Sequence, residues 1–529
     1  MFCAVLAVAL SWLIVIAKAA RMRAHDHERL PGWHGEIHSI AEALKNSERS
    51  NAIAECLRRI DSVAIGLGRG SSCELRECFR SANEVRRINE FSWTNEDGEG
   101  ERDREEENGS RREVGCPGEA VSLYDKENAL KDNYKHMASI ERIPWKGAAE
   151  GNVIMCWQTS EKNEGSRQRI VCNQADANEE KMKFQALTHN GRVMRRDNKL
   201  DGGEFVAPVG DSDHGGAVWG PCVFANPKKT HEVWLFYSQS RTGRCGSRVP
   251  GMDYAPGGDI LAKQFNVVSG TWSNTEKIIL SQDFDDGIPK VTANKPIVLR
   301  KSGRWVLPYW NERAMLETDA NINADCARLK GEEGAGVLLS DDEGQTWYPS
   351  ETIRGKNTWL IENAVSELDE DDHLLMVFRT KTGFIHKSES LDGGQTWSEA
   401  VAMKDLPNPN SKIDMIRLKP SGFLALAFND HSKKLGHGCS RCRTHLKIAI
   451  SEDQGRSWLR VRSLETDIDS SLRSHYPTIV QRGCELLVAY SKFYKRPPKI
   501  VDSSIDYDEL MAKQGIYVAR VPLCSSQLV

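Results

Sequence analysis

Ser340-Asp341-Asp342-Glu343-Gly344-Gln345-Thr346-Trp347, Ser390-Leu391-Asp392-Gly393-Gly394-Gln395-Thr396-Trp397 and Ser451-Glu452-Asp453-Gln454-Gly455-Arg456-Ser457-Trp458 are three near-copies of one octapeptide. Each reads Ser-x-Asp-x-Gly-x-(Thr/Ser)-Trp. The aspartate can accept hydrogen bonds from backbone N–H groups of its own turn, and the glycine supplies a positive φ. The tryptophan then has a large ring to bury against a sheet. One copy would be an ordinary turn. Three copies, 50 and 61 residues apart, mark a supersecondary unit that repeats.

Outward from these turns, the chain beyond Ser139 is a series of short β-rich runs, among them Val153–Trp157, Val233–Tyr237, Trp305–Tyr309, Leu374–Phe378, Phe423–Phe428, Leu446–Ile450 and Leu486–Tyr490. The stretch from there to Val529, divided by the repeat interval, gives six to seven units. The terminal Gly515–Val521 is read as the strand that closes the set. A net charge of -4 argues against nucleic acid as a partner, and fourteen tryptophans suit one aromatic anchor per hairpin. Fourteen cysteines are scattered without the even spacing of a small disulfide scaffold. Cys439 and Cys442 form a close pair, read as buried thiols or a local disulfide, with zinc beside His437 and His445 as the other reading.

The N-terminus differs. Met1–Ala17 is almost wholly apolar, and Lys18, Arg21 and Arg23 follow. Residues 1–20 are therefore expected to be a signal peptide, with Ala17-Lys18-Ala19 as a cleavage site, or an uncleaved membrane anchor. Either sends the chain into the secretory pathway, to be secreted or membrane-anchored in an extracellular, lysosomal or Golgi-luminal setting. Asn108-Gly109-Ser110 is a glycosylation sequon. Residues 21–135 are read as an extension, helical up to about Asn89 from apolar residues at three- and four-residue spacing. Its Asn95–Glu113 run has no apolar residue and is expected to be disordered.

Several stretches in the remaining 136–529 resemble the sialidase superfamily. The octapeptides look like its Asp-boxes. Ser139-Ile140-Glu141-Arg142-Ile143-Pro144 looks like its Arg-Ile-Pro motif. Ile361–Leu368 with Leu374–Arg379 looks like the segment bearing an active-site glutamate and the second arginine. Arg443–Lys447 is similar to the strand with the third arginine, and Ser474-His475-Tyr476-Pro477-Thr478 falls where the family places its catalytic tyrosine. Gly220–Phe224, Asn294–Val298 and Asn408–Ser411 look like a broader, bacterial-type branch of the superfamily.

The resemblance implies an all-β, six-bladed β-propeller with peripheral Asp-box turns, preceded by the helical and partly disordered extension. It implies an exo-acting glycoside hydrolase that releases terminal sialic acid, or a related acidic sugar, by a retaining mechanism, without metal or organic cofactor. Arg142, Arg379 and Arg443 would converge on the substrate carboxylate, which planar guanidiniums bind in two-pronged fashion. Tyr476 would be the nucleophile, a neutral group that the carboxylate does not repel, with Glu362 taking its proton. The general acid falls in Ser160–Ser166, which holds no aspartate; Glu164 lines up best, with Glu161 next. His214 and Trp219 either line the cleft or belong to loop structure. The partners expected are sialylated or other acidic glycans, no nucleic acid, and a membrane through the N-terminal segment. A non-catalytic, lectin-like propeller and a hydrolase of a different glycan are the competing readings.

Overall fold

A computed structural model describes most of residues 134–523, with breaks at 144–151, 161–167, 177–184, 194–204, 208–216, 241–256, 274–276, 313–332, 369–371, 432–442, 466–471 and 495–513 and at a few single positions. The expectations for residues 1–20 and for the extension up to 133, and for Glu161, Glu164, His214, Cys439 and Cys442, lie outside the described residues. All described elements belong to one unit within Arg76–Val529.

Six sheets follow one another along the chain. The first joins β1 (Tyr134–Arg142), β2 (Asn152–Ser160), β3 (Arg169–Asp176) and β4 (Gln185–Ala186). A separate hairpin follows, β5 (Thr188–His189) with β6 (Arg192–Val193), and β7 (Phe205–Ala207) returns to pair with β3. The second sheet contains β8 (Val218–Ala225), β9 (Glu232–Gln239), β10 (Asp259–Asn266), β11 (Thr271–Trp272) and β12 (Lys277–Leu280). The third is built from β13 (Lys290–Val291), β14 (Ile297–Val298), β15 (Trp305–Asn311), β16 (Gly334–Ser340) and β17 (Tyr348–Pro349). β18 (Ile361–Glu367), β19 (Leu374–Arg379), β20 (Phe384–Ser390) and β21 (Val401–Pro407) make the fourth. β22 (Asp414–Arg417), β23 (Leu424–Asn429), β24 (Leu446–Ser451) and β25 (Leu459–Ser463) make the fifth, and β26 (Leu472–Arg482), β27 (Glu485–Tyr494) and β28 (Gly515–Pro522) the sixth. Consecutive strands pair antiparallel as meanders, so the architecture is a six-bladed all-β propeller.

The core lies between blades. Ile154, Cys156 and Ile170 of the first blade meet Val223, Leu235 and Phe265 of the second. Phe224, Trp234 and Phe236 of the second meet Trp305 and Leu338 of the third. Val377 and Leu375 of the fourth meet Leu426 and Ala449 of the fifth. Closure brings Ala138, Val153 and Trp157 of the first blade onto Val480, Leu487 and Val518 of the sixth. The terminal segment read as the closing strand is thus the third strand of blade six, and Val518 contributes to the seam.

Polar side chains tie the inner strands into a ring. Ser139 Oγ accepts from the Val223 N–H, and Thr292 Oγ1 donates to the Gly220 carbonyl. Asn294 Nδ2 donates to the carbonyls of Glu362, Asn363 and Ile413. Lys295 Nζ crosses the axis to the carbonyls of Ile140 and Ile479. Lys412 Nζ donates to the Pro477 carbonyl at 2.7 Å, and Asp414 accepts from the Ile479 N–H at 2.7 Å. Inner strands converging on an axis cannot pair with each other as ladders, so their free groups are satisfied this way.

The three octapeptides are the turns from third to fourth strand of blades three, four and five. In each, the serine hydroxyl donates to the aspartate (Ser340 to Asp342 at 2.9 Å) and accepts from the glycine N–H (Gly344 to Ser340 at 2.8 Å). The following Thr or Ser donates twice to the same carboxylate. Each box also leans on the preceding blade. Trp347 packs edge-on to Phe236, Arg304 donates to the carbonyls of Asp392 and Gly393, and Gly455 abuts Leu375. A degenerate copy occupies the same turn of blade two, where Asn266 Oδ1 accepts from the N–H groups of Val268 and Ser269 ahead of Gly270-Thr271-Trp272. Lacking the Ser and Asp, it escaped the sequence pattern.

Candidate active site

Four inner strands carry the same irregularity near their N-terminal ends. Register shifts fall between His136 and Ser139, Trp219 and Cys222, Ile361 and Ala364, and His475 and Thr478. In each, two inner-strand residues face one residue of the next strand: a β-bulge. The first residue of every bulge has a left-handed backbone: Met137 (φ 51), Gly220 (φ 56), Glu362 (φ 49) and Tyr476 (φ 59). At Gly220 no side chain fits, because a Cβ would lie 1.7 Å from the Thr292 carbonyl oxygen. Met137, Glu362 and Tyr476 hold this costly backbone because the ladder on either side fixes it. The bulge turns these side chains toward the axis, where Met137 and Tyr476 share an apolar cluster with Trp219 and Trp310.

Glu362 and Tyr476 meet there. The Tyr476 hydroxyl donates to Glu362 Oε1 at 2.8 Å. Arg379, the last residue of β19 and the register partner of Ile361, donates from Nη1 to Glu362 Oε1 and to the Tyr476 oxygen, both at 2.7 Å. Its Nε donates to Asn410 Oδ1 at 2.6 Å. Burial works against the charge of Arg379, but Glu362 and Tyr476 outweigh it and hold its pKa above the ordinary value. Glu362 Oε2 is buried and has no hydrogen-bond partner among the described residues, an acceptor beside the phenol.

Arg443 stands on the other side of the phenol, its Cζ 5.2 Å from the Tyr476 ring centre. Nη1 meets His475 Nδ1 at 3.1 Å, and Nη2 donates to the Asn410 carbonyl at 2.9 Å. Asn410, itself left-handed (φ 58), thereby bridges the two arginines. No described carboxylate forms an ion pair with Arg443. Its pKa is pulled down, first by burial and further by Arg379.

Two histidines complete the wall. His136 and His475 precede the bulge residues of adjacent blades, and their ring centres lie 5.1 Å apart. His136 lies 4.2 Å from the Tyr476 ring and meets Ser491 Oγ through Nδ1 at 2.9 Å. Both are held well below the usual histidine pKa, by burial first and then by Arg443. Beneath them Lys412 is fully buried, which lowers its pKa; its bond to the Pro477 carbonyl pins the residue after Tyr476.

Of the residues expected from sequence, Tyr476, Glu362, Arg379 and Arg443 are brought together and Arg142 is not. Arg142 is the exposed last residue of β1, five residues past Met137 and so about 16 Å along the strand from the bulge level. Its N–H donates to Glu141 Oε1 at 2.8 Å. The bulge decides which end of β1 faces the site, and it puts His136 there instead. His136, Asn410, Lys412 and His475 were not assigned from sequence. A signal existed: His136-Met137 and His475-Tyr476 lie at matching places in their blades. Trp219 lies in β8, buried, with Nε1 donating to Ser240 Oγ at 3.2 Å, so it is core rather than loop.

Comparison with known proteins agrees with this architecture. The BNR repeat-like domain matches residues 200–487. The chain belongs to that family. A sialidase of Micromonospora viridifaciens is 27% identical over 285 residues, 51% of this chain and 39% of that protein. The chain thus matches about two-fifths of that relative's length. Among solved structures, a mutant NanB sialidase from Streptococcus pneumoniae aligns with a TM-score of 0.50 at 12% identity, covering 78% of this chain and 71% of that one. A leech intramolecular trans-sialidase bound to 2,7-anhydro-Neu5Ac aligns at 0.50 and 13% identity, with 78% and 71% covered. A protein of unknown function from Dyadobacter fermentans aligns at 0.51 and 12%, covering 78% and 99%. At such identities these structures speak for a shared propeller fold and not for its chemistry.

Proposed function

We propose that this BNR propeller is an exo-acting glycoside hydrolase of sialidase type, releasing a terminal acidic sugar with retention. The observation that carries the reading is the buried Tyr476–Glu362 hydrogen bond. A phenol is a weak nucleophile until a base takes its proton. Here the base is already in contact, and Arg379 donates to the oxygen on which negative charge develops. As Tyr476 Oη bonds to the anomeric carbon, Glu362 takes the phenolic proton and the glycosidic C–O bond breaks. The leaving oxygen takes a proton from the general acid, for which Glu164 is the residue proposed from sequence. Water then cleaves the glycosyl-tyrosine by the reverse roles.

The substrate should be an anion because Arg443 is a buried cation with no ion-paired carboxylate among the described residues. Such a charge is costly unless a ligand neutralises it. A sialic acid carboxylate between Arg443 and Arg379 would do so. Two guanidiniums beside a neutral histidine, rather than three guanidiniums, favour as second reading a hydrolase of another acidic sugar. The Cys156–Cys172 disulfide joining β2 and β3 supports folding in an oxidising compartment, in keeping with a secretory route.

The test is hydrolysis of a fluorogenic aryl sialoside by the full chain and by Tyr476→Phe. Turnover by the wild type, lost in the variant, is expected. A folded wild type that binds sialosides and releases no sugar would move the reading to a lectin-like propeller. Failure both to bind and to cleave would favour a different glycan.

A further inference from the structure

We infer that His475 is a positioning residue for Arg443: a neutral imidazole, accepting through Nδ1, holds the guanidinium over the Tyr476 ring and so sets the affinity of the site for its anion. This rests on the sialidase-type reading of the pocket.

An arginine side chain has donors only, so the Nη1 to Nδ1 contact at 3.1 Å requires a lone pair on Nδ1. The proton of the neutral ring is then on Nε2. That nitrogen is buried and finds no hydrogen-bond partner among the described residues, and the residue is 0% exposed. A buried N–H without an acceptor is destabilising. The fold tolerates it while the opposite nitrogen serves Arg443. The guanidinium is also held by the Asn410 carbonyl and by a hydrogen bond to Tyr476, so loss of His475 leaves Nη1 without its acceptor and the group less firmly fixed over the ring.

The surroundings keep the ring neutral. Facing it are Arg473 and Tyr476 of its own strand, His136 of β1, Phe493 of β27, Arg443 before β24 and Arg379 of β19. The charged groups in that set are cations, and none is a carboxylate. Burial adds to their effect, so protonation is displaced well below pH 6.5. Once it occurs, Nδ1 becomes a donor facing a donor and the guanidinium is repelled. Anion affinity is therefore retained as the pH falls through the ordinary histidine range.

The experiment compares wild type, His475→Leu and His475→Asn, with kcat and KM for the aryl sialoside measured from about pH 4 to 8. Asparagine places a carbonyl oxygen near the position of Nδ1, whereas leucine offers nothing. KM is expected to rise by ~10-fold or more in H475L, the worth of one charge-assisted hydrogen bond, with kcat little changed and H475N close to wild type. Wild-type KM should show no change through the ordinary histidine range, near pH 6.5, as the ring stays neutral there. A folded H475L with wild-type KM and pH profile overturns the inference, as does equal loss of kcat in both variants. If H475L fails to fold, a crystal structure of H475N decides: Arg443 held over the Tyr476 ring by the asparagine oxygen supports the assignment, and Arg443 displaced from it overturns it. If the wild type cleaves no sialoside, crystal structures of wild type and H475L still answer. Arg443 displaced from the Tyr476 ring supports the assignment, and Arg443 unmoved overturns it.

Discussion

Tyr476 and Glu362 lie in hydrogen-bond contact at 2.8 Å although the fifth blade separates the strands that carry them. Each is the left-handed first residue of a bulge in an inner strand. The blades set the direction of the two side chains, and the ring of inner-strand hydrogen bonds sets their distance. Neither residue depends on a mobile loop for its place.

Tyr476→Phe keeps the ring in its cluster and removes one hydroxyl. Glu362 and Arg379 remain paired with each other at 2.7 Å, so no buried charge is stranded. The expected stability loss is about 1 kcal/mol by urea unfolding, while turnover falls by a factor on the order of 10³ or more. A variant that unfolds much more readily would mean the hydroxyl serves the fold rather than the chemistry.

The two arginines should separate in stability. Arg379→Met strands the Glu362 carboxylate and is expected to cost about 3–5 kcal/mol. Arg443→Met removes a buried cation that forms no ion pair with a carboxylate among the described residues. It is expected to leave stability nearly unchanged, within about 1 kcal/mol, while raising KM for an anionic sugar. Parallel denaturant curves for both variants decide this, and equal destabilisation would contradict it.

Arg142→Ala probes the opposite end of β1. The side chain is exposed and far from the bulge level. Activity should stay within about twofold of wild type and stability within ~0.5 kcal/mol. A large rise in KM would return Arg142 to the substrate site.

Asp342→Asn tests an Asp-box. Hydrogen bonds from the side chain and backbone of Thr346 lower the Asp342 carboxyl to about 2. A depressed carboxyl pKa contributes stability above the unfolded value near 3.9, lost as pH falls through the folded value. Because the turn faces solvent, the variant should lose no more than about 1 kcal/mol near neutral pH. The gap between variant and wild type should close as pH approaches about 2. A gap that stayed constant with pH would show that the charge is not involved.

The blades were legible because the Ser-x-Asp-x-Gly-x-(Thr/Ser)-Trp turn is local: every hydrogen bond within it joins residues at most four apart. Glu362, Arg379, Arg443 and Tyr476 were nominated by resemblance, and the fold groups them. Arg142 misled because a strand's letters do not tell which of its ends faces the axis. That is fixed by a bulge at Met137, visible only once β1 is paired with β2. His136 and Asn410 were silent for a similar reason, since their roles depend on partners hundreds or tens of residues away. The Cys156–Cys172 bond was hidden among fourteen scattered cysteines until β2 and β3 set the two side by side.

The backward lean of the Asp-boxes divides the ring into unequal halves. Boxes on blades three, four and five clamp the seams they share with blades two, three and four, and the degenerate turn with Trp272 reaches the first seam. Among the described residues, the seams between blades five and six and between six and one carry no such clamp. Arg443 of blade five, His475 and Tyr476 of blade six, and His136 of blade one are distributed across those two seams. The nucleophile and its histidine and Arg443 neighbours therefore straddle the part of the hoop that peripheral rivets leave unfastened, while Glu362 and Arg379 stand on the clamped blade four; closure there depends on the buried Lys412 and Asp414 and the half-buried Lys295. Breathing of the hoop, as slow amide exchange would detect it, should begin at the active site's own joints.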